Sequence, residues 1–542
     1  MKAFTEPLLS LAGFEEMTKT AEKSSGLISV TGCIDAQKSQ MIYAFGGHRK
    51  NKLIVTFGEQ KAKELYDEYS FFDKEVVYYP SKDVLFYQSD IRGNLLTAER
   101  IRALKAIREQ ERVTLVTTFD ALMNTMAPIE KMWENVLTLE QGQLLDLKEI
   151  QAALIRMGYE KEYQVQTMGQ FSVRGGILDV FPLTEENPIR IELWGDEIDT
   201  IRYFDCESQK SIENIDRVSI YPAAELVLSD EEKAGGIEKL KAEAKRVSDK
   251  LRKQMKTEEA HRVTVMADEL TEEWGELSMY AGMDAFLSYF FDERVGLLDY
   301  FKPSDSLIFF DELTRCTEQG KLTETEFSES MKQRLAMGYI LPGQMNGLFT
   351  EKEIVAKLGK YSCIALAALD NKANGLHQLG SYGIHCQSVS PYNNSFELLI
   401  KDLKRYKKNG YRVILLSGSR TRAKRLSEDI TDQGITCFYT ENYDHELFEG
   451  QIMVCYGKVR RGFEYPILKF AVITESDIFG AQQKKKKRHR TYEGEKIQSF
   501  TDLSVGDYVV HENHGLGIYR GIEKLEVDKK VKDYIKIEYQ GG

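Results

Sequence analysis

The residues best placed for chemistry in this sequence form a loop-like segment near the N-terminus. Gly32, Lys38 and Ser39 have the spacing of the phosphate-binding loop G-x-x-x-x-G-K-[S/T], between a strand-like and a helix-like run. Gln37 stands at the second glycine of that loop, where a residue with a Cβ poorly tolerates the backbone that wraps phosphates. Asp35 adds a carboxylate that would repel phosphate oxygens. We therefore predict a degenerate, inactive nucleotide loop.

A second fragment of a nucleotide site lies much further along the chain. The buried-strand run 307–310 is followed directly by Asp311 and Glu312. An ATPase presents the carboxylate that holds its magnesium ion at such a strand end. Together with the altered loop, this pair indicates a vestigial nucleotide-binding fold. An ordinary strand and turn with an acidic end remains the alternative, and ATP hydrolysis is not expected.

The sequence offers little support for metal, disulfide or membrane chemistry. Its seven cysteines are scattered without a CxxC pair, which indicates reduced thiols in a cytoplasmic protein rather than disulfides or a zinc site. His511 and His514 lack a third ligand, so no metal site is predicted. No run reaches the roughly 18 apolar residues of a membrane span, and the N-terminus lacks the layout of a signal peptide.

The length and the net charge of the chain limit the number of domains and the kind of surface that can be expected. At 542 residues, and about 150 residues per domain, three to four domains are expected. A net charge of −12 argues against a protein whose whole surface grips nucleic acid, while leaving room for local basic patches.

The pattern of apolar residues divides the chain further. Alternating strand-like and helix-like runs over 1–125 predict a parallel sheet covered on both faces. Short alternating runs after 126 predict a small sheet of hairpins inserted into this first domain. A second α/β unit begins near 393, and a small β unit ends the chain.

Longer segments carry a resemblance to a known family. Residues 173–182 (VRGGILDVFP) and 190–198 (RIELWGDEI) resemble the UvrA-binding domain inserted in the UvrB-homologous module of bacterial transcription-repair coupling factors. Residues 506–522 (GDYVVHENHGLGIYRGI) resemble the start of that family's RNA polymerase interaction domain, which is similar to CarD-type modules. The resemblance covers essentially the whole chain, and the family also shows a degenerate phosphate loop.

The resemblance implies an α/β multidomain fold. Its parts are a degenerate RecA-like or UvrB-like parallel-sheet module with a small inserted β-rich domain, a second small α/β domain, and a partial CarD-like β barrel. The implied boundaries are 1–127 and 213–345 for the degenerate module, 128–212 for the inserted UvrA-binding domain, 346–389 for a connecting segment, 390–478 for the second α/β domain, 479–498 for a basic linker and 499–542 for a truncated polymerase-interaction domain.

The resemblance also implies partners and the residues that bind them. Arg174, Arg190 and Trp194 match the positions with which the family binds UvrA, and arginine and aromatic anchors suit a protein interface. Leu525 is predicted to anchor the chain on the RNA polymerase β subunit. The alternatives are that Trp194 and Leu525 pack in their own domains and that both arginines are solvated.

In the family, further domains follow these. They include two RecA-like motor domains that use ATP and magnesium to move along double-stranded DNA, and a regulatory domain that masks the UvrA-binding surface. None is present here, so we expect a truncated product or partial record that has no cofactor of its own. The basic run at 484–490 is predicted to be a solvated linker, with contacts to DNA phosphates as the alternative.

Three functions are weighed on these grounds. The leading one is a binding scaffold that links stalled RNA polymerase to UvrA for nucleotide excision repair. A UvrB-like repair helicase would need an intact phosphate loop, which Gln37 opposes, and a second RecA lobe. A CarD-like transcription regulator would not need the first 480 residues.

Overall fold

The protein is described here from a computed structural model. It describes residues 1–45, 49–82, 94–276, 283–369, 375–480, 506–511, 515–527 and 530–539. Over these ranges the chain forms a mixed α/β structure with one large parallel sheet and several smaller sheets. No helix in the described ranges is long and apolar enough to cross a membrane.

The large sheet has seven strands, all parallel. From one edge to the other they are Gln378–Gly383, Gly26–Thr31, Ser362–Leu366, Ser306–Asp311, Asn51–Thr56, Val113–Thr118 and Val77–Tyr79. Successive residues of a strand enter different cores: Ile54 packs on one face, and its neighbours Leu53 and Val55 pack on the other. The predicted parallel sheet, buried on both faces, is confirmed.

Helices and short 3₁₀ turns cover this sheet. Leu287–Phe290 is an exception, since it packs with the helical hairpin described below. The helices that cover the sheet are Lys2–Thr5, Phe14–Lys23, Asp35–Phe45, Glu59–Tyr69, Asn94–Glu109, Phe119–Met123, Ile129–Glu134, Leu313–Ala336 and Glu351–Leu358. Local sequence fixes several of their starts. Thr350 caps the last of them in a reciprocal pair with Glu353, in which each side chain accepts a hydrogen bond from the other's backbone N–H.

The segment 346–389 is more than a connection. It supplies the strands Ser362–Leu366 and Gln378–Gly383, which flank Gly26–Thr31 on both sides. The first of these strands is fully buried, as a central parallel strand must be. The large sheet therefore extends beyond the predicted boundary at 345 and is closed at one edge by the segment assigned to a connection.

The inserted domain joins the first domain through a two-stranded antiparallel ribbon, Leu137–Glu140 with Arg217–Ile220. It contains the helix Leu147–Arg156, whose N-terminal amides are capped by Asp146. Its six-stranded sheet has, from edge to edge, the strands Ser211–Ile215, Glu197–Phe204, Ile189–Trp194, Ile177–Val180, Gln170–Arg174 and Glu160–Lys161. The ribbon places the ends of the insertion near 137 and 220 rather than at 128 and 212.

A helical hairpin follows the insertion. Asp230–Lys253 and Thr257–Glu276 pack on a core that includes the fully buried Trp274. Ser229 and Glu232 form a capping box at the start of the first helix.

The second α/β region has a six-stranded sheet with helices on one face. Its strands, from edge to edge, are Gln387–Ser388, Phe463–Tyr465, Phe470–Thr474, Arg412–Ser417, Ile452–Tyr456 and Phe438–Tyr439. Phe396–Lys408 and Arg420–Asp432 pack on one face of this sheet, and the short helix Glu475–Phe479 follows its Phe470–Thr474 strand.

The opposite face of this second sheet shares a core with the N-terminal module. Leu416 and Cys455 belong to the same buried cluster as Phe4 and Phe71. The hydroxyl of Tyr465 donates to Oε1 of Gln40 at 3.2 Å across this boundary. Residues 1–88 and 93–481 accordingly form one compact unit, so the predicted domain at 390–478 is packed firmly against the first.

The last described part of the chain is a three-stranded antiparallel sheet. Its strands are Tyr508–His511, Gly515–Val527 and Lys530–Tyr539. Most of the predicted basic linker, from residue 481 onward, lies outside the described residues.

Candidate partner-binding face and altered phosphate loop

The inserted sheet has one buried and one open face. Side chains alternate along each strand, so Ile189, Ile191 and Leu193 turn to the domain core, and Arg190 and Trp194 turn to the open face. Cross-strand register places Asp179 directly opposite Arg190. The sequence predicted a role in UvrA binding for Arg190 and Trp194, and their position on one face follows from the two-residue period of the strand.

Arg174 and Arg190 converge on the carboxylate of Asp179. Nη2 of Arg174 lies 2.8 Å from Oδ2 of Asp179, and Nε of Arg190 lies 2.7 Å from its Oδ1. Nη2 of Arg190 also donates to Oδ2 of Asp179 and to Oε1 of Gln209, each at 2.8 Å. Asp179 is only 2% exposed, so this pairing fixes the positions of both guanidinium groups.

The two arginines are held to different degrees. Arg190 is mostly buried and lies over the ring of Phe204, whereas Arg174 is about one-third exposed. The hydrogen bond to Asp179 raises the pKa of Arg190, and burial opposes that rise. Because a guanidinium has five N–H donors, Arg174 retains donors for a partner after its single bond to Asp179.

Trp194 stands at the end of its strand, on the open face. Its side chain is 85% exposed, and it enters the tight turn at Gly195, whose φ of +64° suits a glycine. It is therefore not part of the domain core. Glu197 is its cross-strand partner.

The surface beyond Trp194 is acidic. An open groove of about 700 Å³ is lined there by Glu140, Glu197, Asp199 and Asp216, with Arg217 as its basic residue. Trp194 therefore lies between the two arginines that pair with Asp179 and an acidic groove.

Near the N-terminus, the altered phosphate loop is short and closed. Gly32 has φ +80°, and a Cβ there would lie 2.0 Å from the carbonyl oxygen of Ile384. This glycine is therefore required by chain packing, independently of any phosphate. The helix already begins at Asp35, so residues 35–37 form its first turn instead of a loop that could wrap phosphates.

Lys38 is engaged by the acidic residues of the second fragment. Its Nζ lies 2.5 Å from Oδ1 of Asp311, 2.9 Å from Oε1 of Glu312 and 3.2 Å from Oδ1 of Asp35. Burial lowers the pKa of Lys38, but Asp311 and Glu312 outweigh it, so the net shift is upward and the ammonium stays charged. Lys61 pairs with the other oxygen of Asp35 at 2.8 Å.

The remaining loop side chains are buried within the protein. Gln37 is fully buried, and neither its amide oxygen nor its nitrogen has a hydrogen-bond partner. The hydroxyl of Ser39 is likewise buried without one. With Lys38 bound to both acidic residues and the loop folded into helix, these residues do not fit a nucleotide with its magnesium ion. Among the described residues no group of histidines, cysteines and carboxylates is arranged to hold a metal.

The residue predicted to bind polymerase lies in the terminal sheet. Leu525 falls in Gly515–Val527, in register with Lys532 of the neighbouring strand. Its side chain is not among those described.

Comparisons with known proteins bear on both segments that the sequence predicts to bind partners. Residues 137–226 match the family model of the UvrB interaction domain, and residues 503–542 match that of the CarD-like/TRCF RID domain. A transcription-repair-coupling factor of Bacillus subtilis (strain 168) is 30% identical over 492 residues, which cover 90% of this chain and 41% of the relative. The resemblance to transcription-repair-coupling factors is confirmed.

Two further transcription-repair-coupling factors show the same relation. That of Staphylococcus haemolyticus (strain JCSC1435) is 30% identical over 95% of this chain and 44% of its own length. That of Staphylococcus aureus (strain MRSA252) is 28% identical over 97% of this chain and 44% of its own length. The chain thus spans less than half the length of these relatives.

Asp179 and Gln209 are the site residues that sequence reasoning missed. Asp179 stands in a strand between apolar residues, and a carboxylate in that setting needs a cationic partner. That signal was readable from the sequence. Gln209 has a positive φ of +58° in the turn after Phe204, and only the folded turn brings it to Arg190.

Proposed function

We propose that this chain is the partner-binding portion of a transcription-repair coupling factor, with an inserted domain that binds UvrA and a terminal domain that binds RNA polymerase. The observation that carries the proposal is the open face of the inserted sheet. There, two arginines are fixed by one buried carboxylate beside a fully projecting tryptophan, within a segment matched by the UvrB interaction domain. Both arginine and tryptophan are common anchors of protein interfaces.

The mechanism of binding follows from this geometry. Asp179 holds the guanidinium groups in place before the partner arrives, so little side-chain entropy is lost on binding. The N–H donors that remain suit carboxylates of the partner, and the indole of Trp194 suits an apolar recess. The acidic groove beyond Trp194 favours basic groups at the edge of the same partner.

Titration calorimetry with purified UvrA tests this assignment. Arg174→Ala and Trp194→Ala should each weaken UvrA binding by about tenfold or more, as expected for interface anchors. Arg425→Ala and Phe448→Ala, which alter exposed residues of the second α/β region, should leave it unchanged. Equal affinities for all four variants would contradict the assignment.

The polymerase part of the proposal rests on the terminal sheet. Residues 503–542 match a polymerase-interaction family model, and we assign Leu525 as the apolar anchor. Leu525→Ala should weaken capture of the RNA polymerase β subunit on a sensor surface, while Leu398→Ala, an exposed leucine elsewhere, should not. Unaltered capture by Leu525→Ala would remove the anchor role but leave the UvrA assignment standing.

We also infer that the N-terminal module neither binds nor hydrolyses ATP. The interaction of Lys38 with Asp311 and Glu312 supports this, since these groups would have to separate to receive phosphates and magnesium. Titration of a fluorescent ATP analogue with magnesium should show no saturable binding. Micromolar affinity would refute the inference and favour the alternative of a UvrB-like helicase module.

A further inference from the structure

The tip of the helical hairpin is exposed and unusually shaped. Asp230–Lys253 turns into Thr257–Glu276 through three residues, and Lys256 N donates to Leu251 O at 3.0 Å to close the turn. Met255 takes the left-handed backbone at φ +63°, a position that usually belongs to glycine at a helix end. Its side chain is 86% exposed at the apex.

The tip is also strongly basic in an acidic chain. Between 245 and 256 a single acidic residue, Asp249, stands among six basic ones, in a protein with a net charge of −12. The basic residues are Lys245, Arg246, Lys250, Arg252, Lys253 and Lys256, and all six are exposed.

The spacing of these cations spreads them over the outer surface of the first helix. Lys245 and Arg252 are seven residues apart, as are Arg246 and Lys253, so each pair lies on one side of the helix two turns apart. The run from 245 to 253 extends about 12 Å along the helix at 1.5 Å per residue. That length covers roughly three to four phosphates of one DNA strand at 3.4 Å spacing.

These cations are little engaged within the protein. In the described parts of the chain, no carboxylate lies within ion-pair distance of Lys245, Lys250, Arg252, Lys253 or Lys256. The nearest acidic residues along the chain are Glu243, Asp249 and the pair Glu258 and Glu259. The carboxylate of Glu243 accepts hydrogen bonds from the hydroxyl of Tyr289 and from Gly343 N, and Glu258 and Glu259 complement the dipole of the next helix from its first turn. The tip thus keeps an excess of uncompensated positive charge.

We propose that this basic tip, residues 245–256, binds the phosphate backbone of double-stranded DNA without reading base sequence. The positive charges lie at the ends of long side chains that form no shaped pocket, which suits binding to a polyanion without dependence on its sequence. Met255 is the one large apolar side chain that is exposed between 245 and 256 in the described structure, so the tip lacks the apolar core that a protein interface needs. The negative charge of the rest of the chain orients DNA towards the tip.

Fluorescence anisotropy with a labelled DNA duplex tests the proposal on the full chain. A duplex of about 30 base pairs is several times longer than the tip at 3.4 Å per phosphate. The tip variant carries Lys250→Glu, Arg252→Glu and Lys253→Glu. The control carries Lys401→Glu, Lys404→Glu and Lys407→Glu, an equal charge change at exposed positions of the helix Phe396–Lys408. Both are made in a background in which the basic residues at 484–490 are glutamine, so that this run contributes no phosphate contacts.

The expected result is a specific loss at the tip. At about 50 mM salt the tip variant should bind DNA at least roughly tenfold more weakly than its background, and the control within about threefold of it. The slope of log K against log salt should fall in magnitude by about 2 to 3 for the tip variant, near 0.9 per lost phosphate contact.

Three outcomes would overturn the proposal. They are equal weakening by both variants, no salt-dependent binding by the background protein, and binding of polyglutamate to the tip as tight as that of DNA at the same salt. The last outcome would assign the tip to an acidic polypeptide. Circular dichroism melts of both variants confirm that the comparison is between folded proteins.

Discussion

At the scale of single residues, the open face of the inserted sheet depends on a carboxylate that does not itself reach a partner. Asp179 accepts hydrogen bonds from two arginines, and its burial makes each of those bonds matter for the fold. A loss of UvrA binding in an arginine variant therefore has two possible origins, a missing contact or a disturbed sheet. Stability measurements separate them.

Arg190→Ala should destabilise the protein more than Arg174→Ala. It removes three of the hydrogen bonds around Asp179 and Gln209 and leaves a buried carboxylate with one donor, at a cost of about 1–3 kcal/mol. Urea unfolding monitored by circular dichroism measures the difference. The double variant Arg190→Ala/Asp179→Ala should recover part of the loss, and an additive further loss would disprove the coupling.

Glu68 should make stability depend on pH near neutrality. Burial raises the pKa of Glu68 to about 7, against opposing effects of Lys61 and Arg460. An acid with a raised pKa in the folded state disfavours folding once it ionises, so its destabilising effect grows from pH 4.5 to 7 and is complete above. Glu68→Gln should therefore raise the free energy of unfolding at about pH 8, by at most about 3 kcal/mol at roughly 1.36 kcal/mol per pH unit, and have little effect at about pH 5.

Glu64→Gln is the matched control one helical turn earlier. The hydrogen bond from Arg460 lowers the pKa of Glu64, so its ionised form stabilises the fold. Its replacement should lower stability at about pH 8, the opposite sign to Glu68→Gln. The same sign for both variants would show that the environment of Glu68 does not disfavour its charge.

At the scale of elements, the neighbouring strand Gln378–Gly383 and the residue after it constrain the backbone of the loop that follows Gly26–Thr31. Gly32 lies where the chain passes the carbonyl of Ile384, next to the edge strand Gln378–Gly383. This loop has the spacing of a phosphate site, yet its glycine serves chain packing. The local motif could not reveal this packing requirement, because Ile384 lies far from Gly32 along the chain.

Gly32→Ala should be strongly destabilising and Gly58→Ala nearly neutral. A Cβ at Gly32 would meet backbone at 2.0 Å in a left-handed conformation, which costs about 1–3 kcal/mol before the clash is counted. Gly58 has extended backbone, and a Cβ added there would have no other atom within 4 Å. Thermal melts of both variants make the comparison, and similar melting temperatures would contradict the packing argument.

The sequence predicted strands where a local apolar run marks them. It missed a strand whose place depends on pairing with a distant segment. The strands around residues 28–30, 53–57, 76–79 and 113–117 are apolar runs beside helical ones, and each lies in the large sheet. Gln378–Gly383 has two glycines and little apolar character, so its place beside Gly26–Thr31 follows only from long-range pairing. At the site, Arg174, Arg190 and Trp194 came from family resemblance, whereas their common face follows from strand alternation.

At the scale of the whole molecule, two α/β sheets share one buried core. Leu416 and Cys455 from the second sheet pack in the same cluster as Phe4 and Phe71, and Phe71 lies edge-on to Tyr443 at 5.7 Å. Boundaries drawn from sequence separated these regions because the apolar pattern of a strand does not say which surface covers it. By contrast, the net negative charge of the chain can be counted directly from the sequence, and the basic hairpin tip at 245–256 differs from it in sign.

The N-terminal module and the second α/β region should unfold in one transition. Leu416→Ala, in the shared core, should cost about 2–5 kcal/mol and reduce hydrogen-exchange protection in the helix Glu59–Tyr69 as well as in its own sheet. Leu403→Ala, equally buried in the separate helix-covered core, should reduce protection mainly within the second region. Loss of protection confined to the second region in the Leu416→Ala variant would contradict the shared core.

The ribbon at the base of the inserted domain determines how easily the insertion can be exchanged or lost. Its strands Leu137–Glu140 and Arg217–Ile220 run side by side, and Gln141 N donates to Asp216 O at 2.9 Å where they leave it. The insertion therefore enters and exits at neighbouring points and adds no strand to the large sheet. Residues 141–216 form a cassette: recombination could exchange them for another domain, and a short turn could replace them, while the host sheet keeps its register.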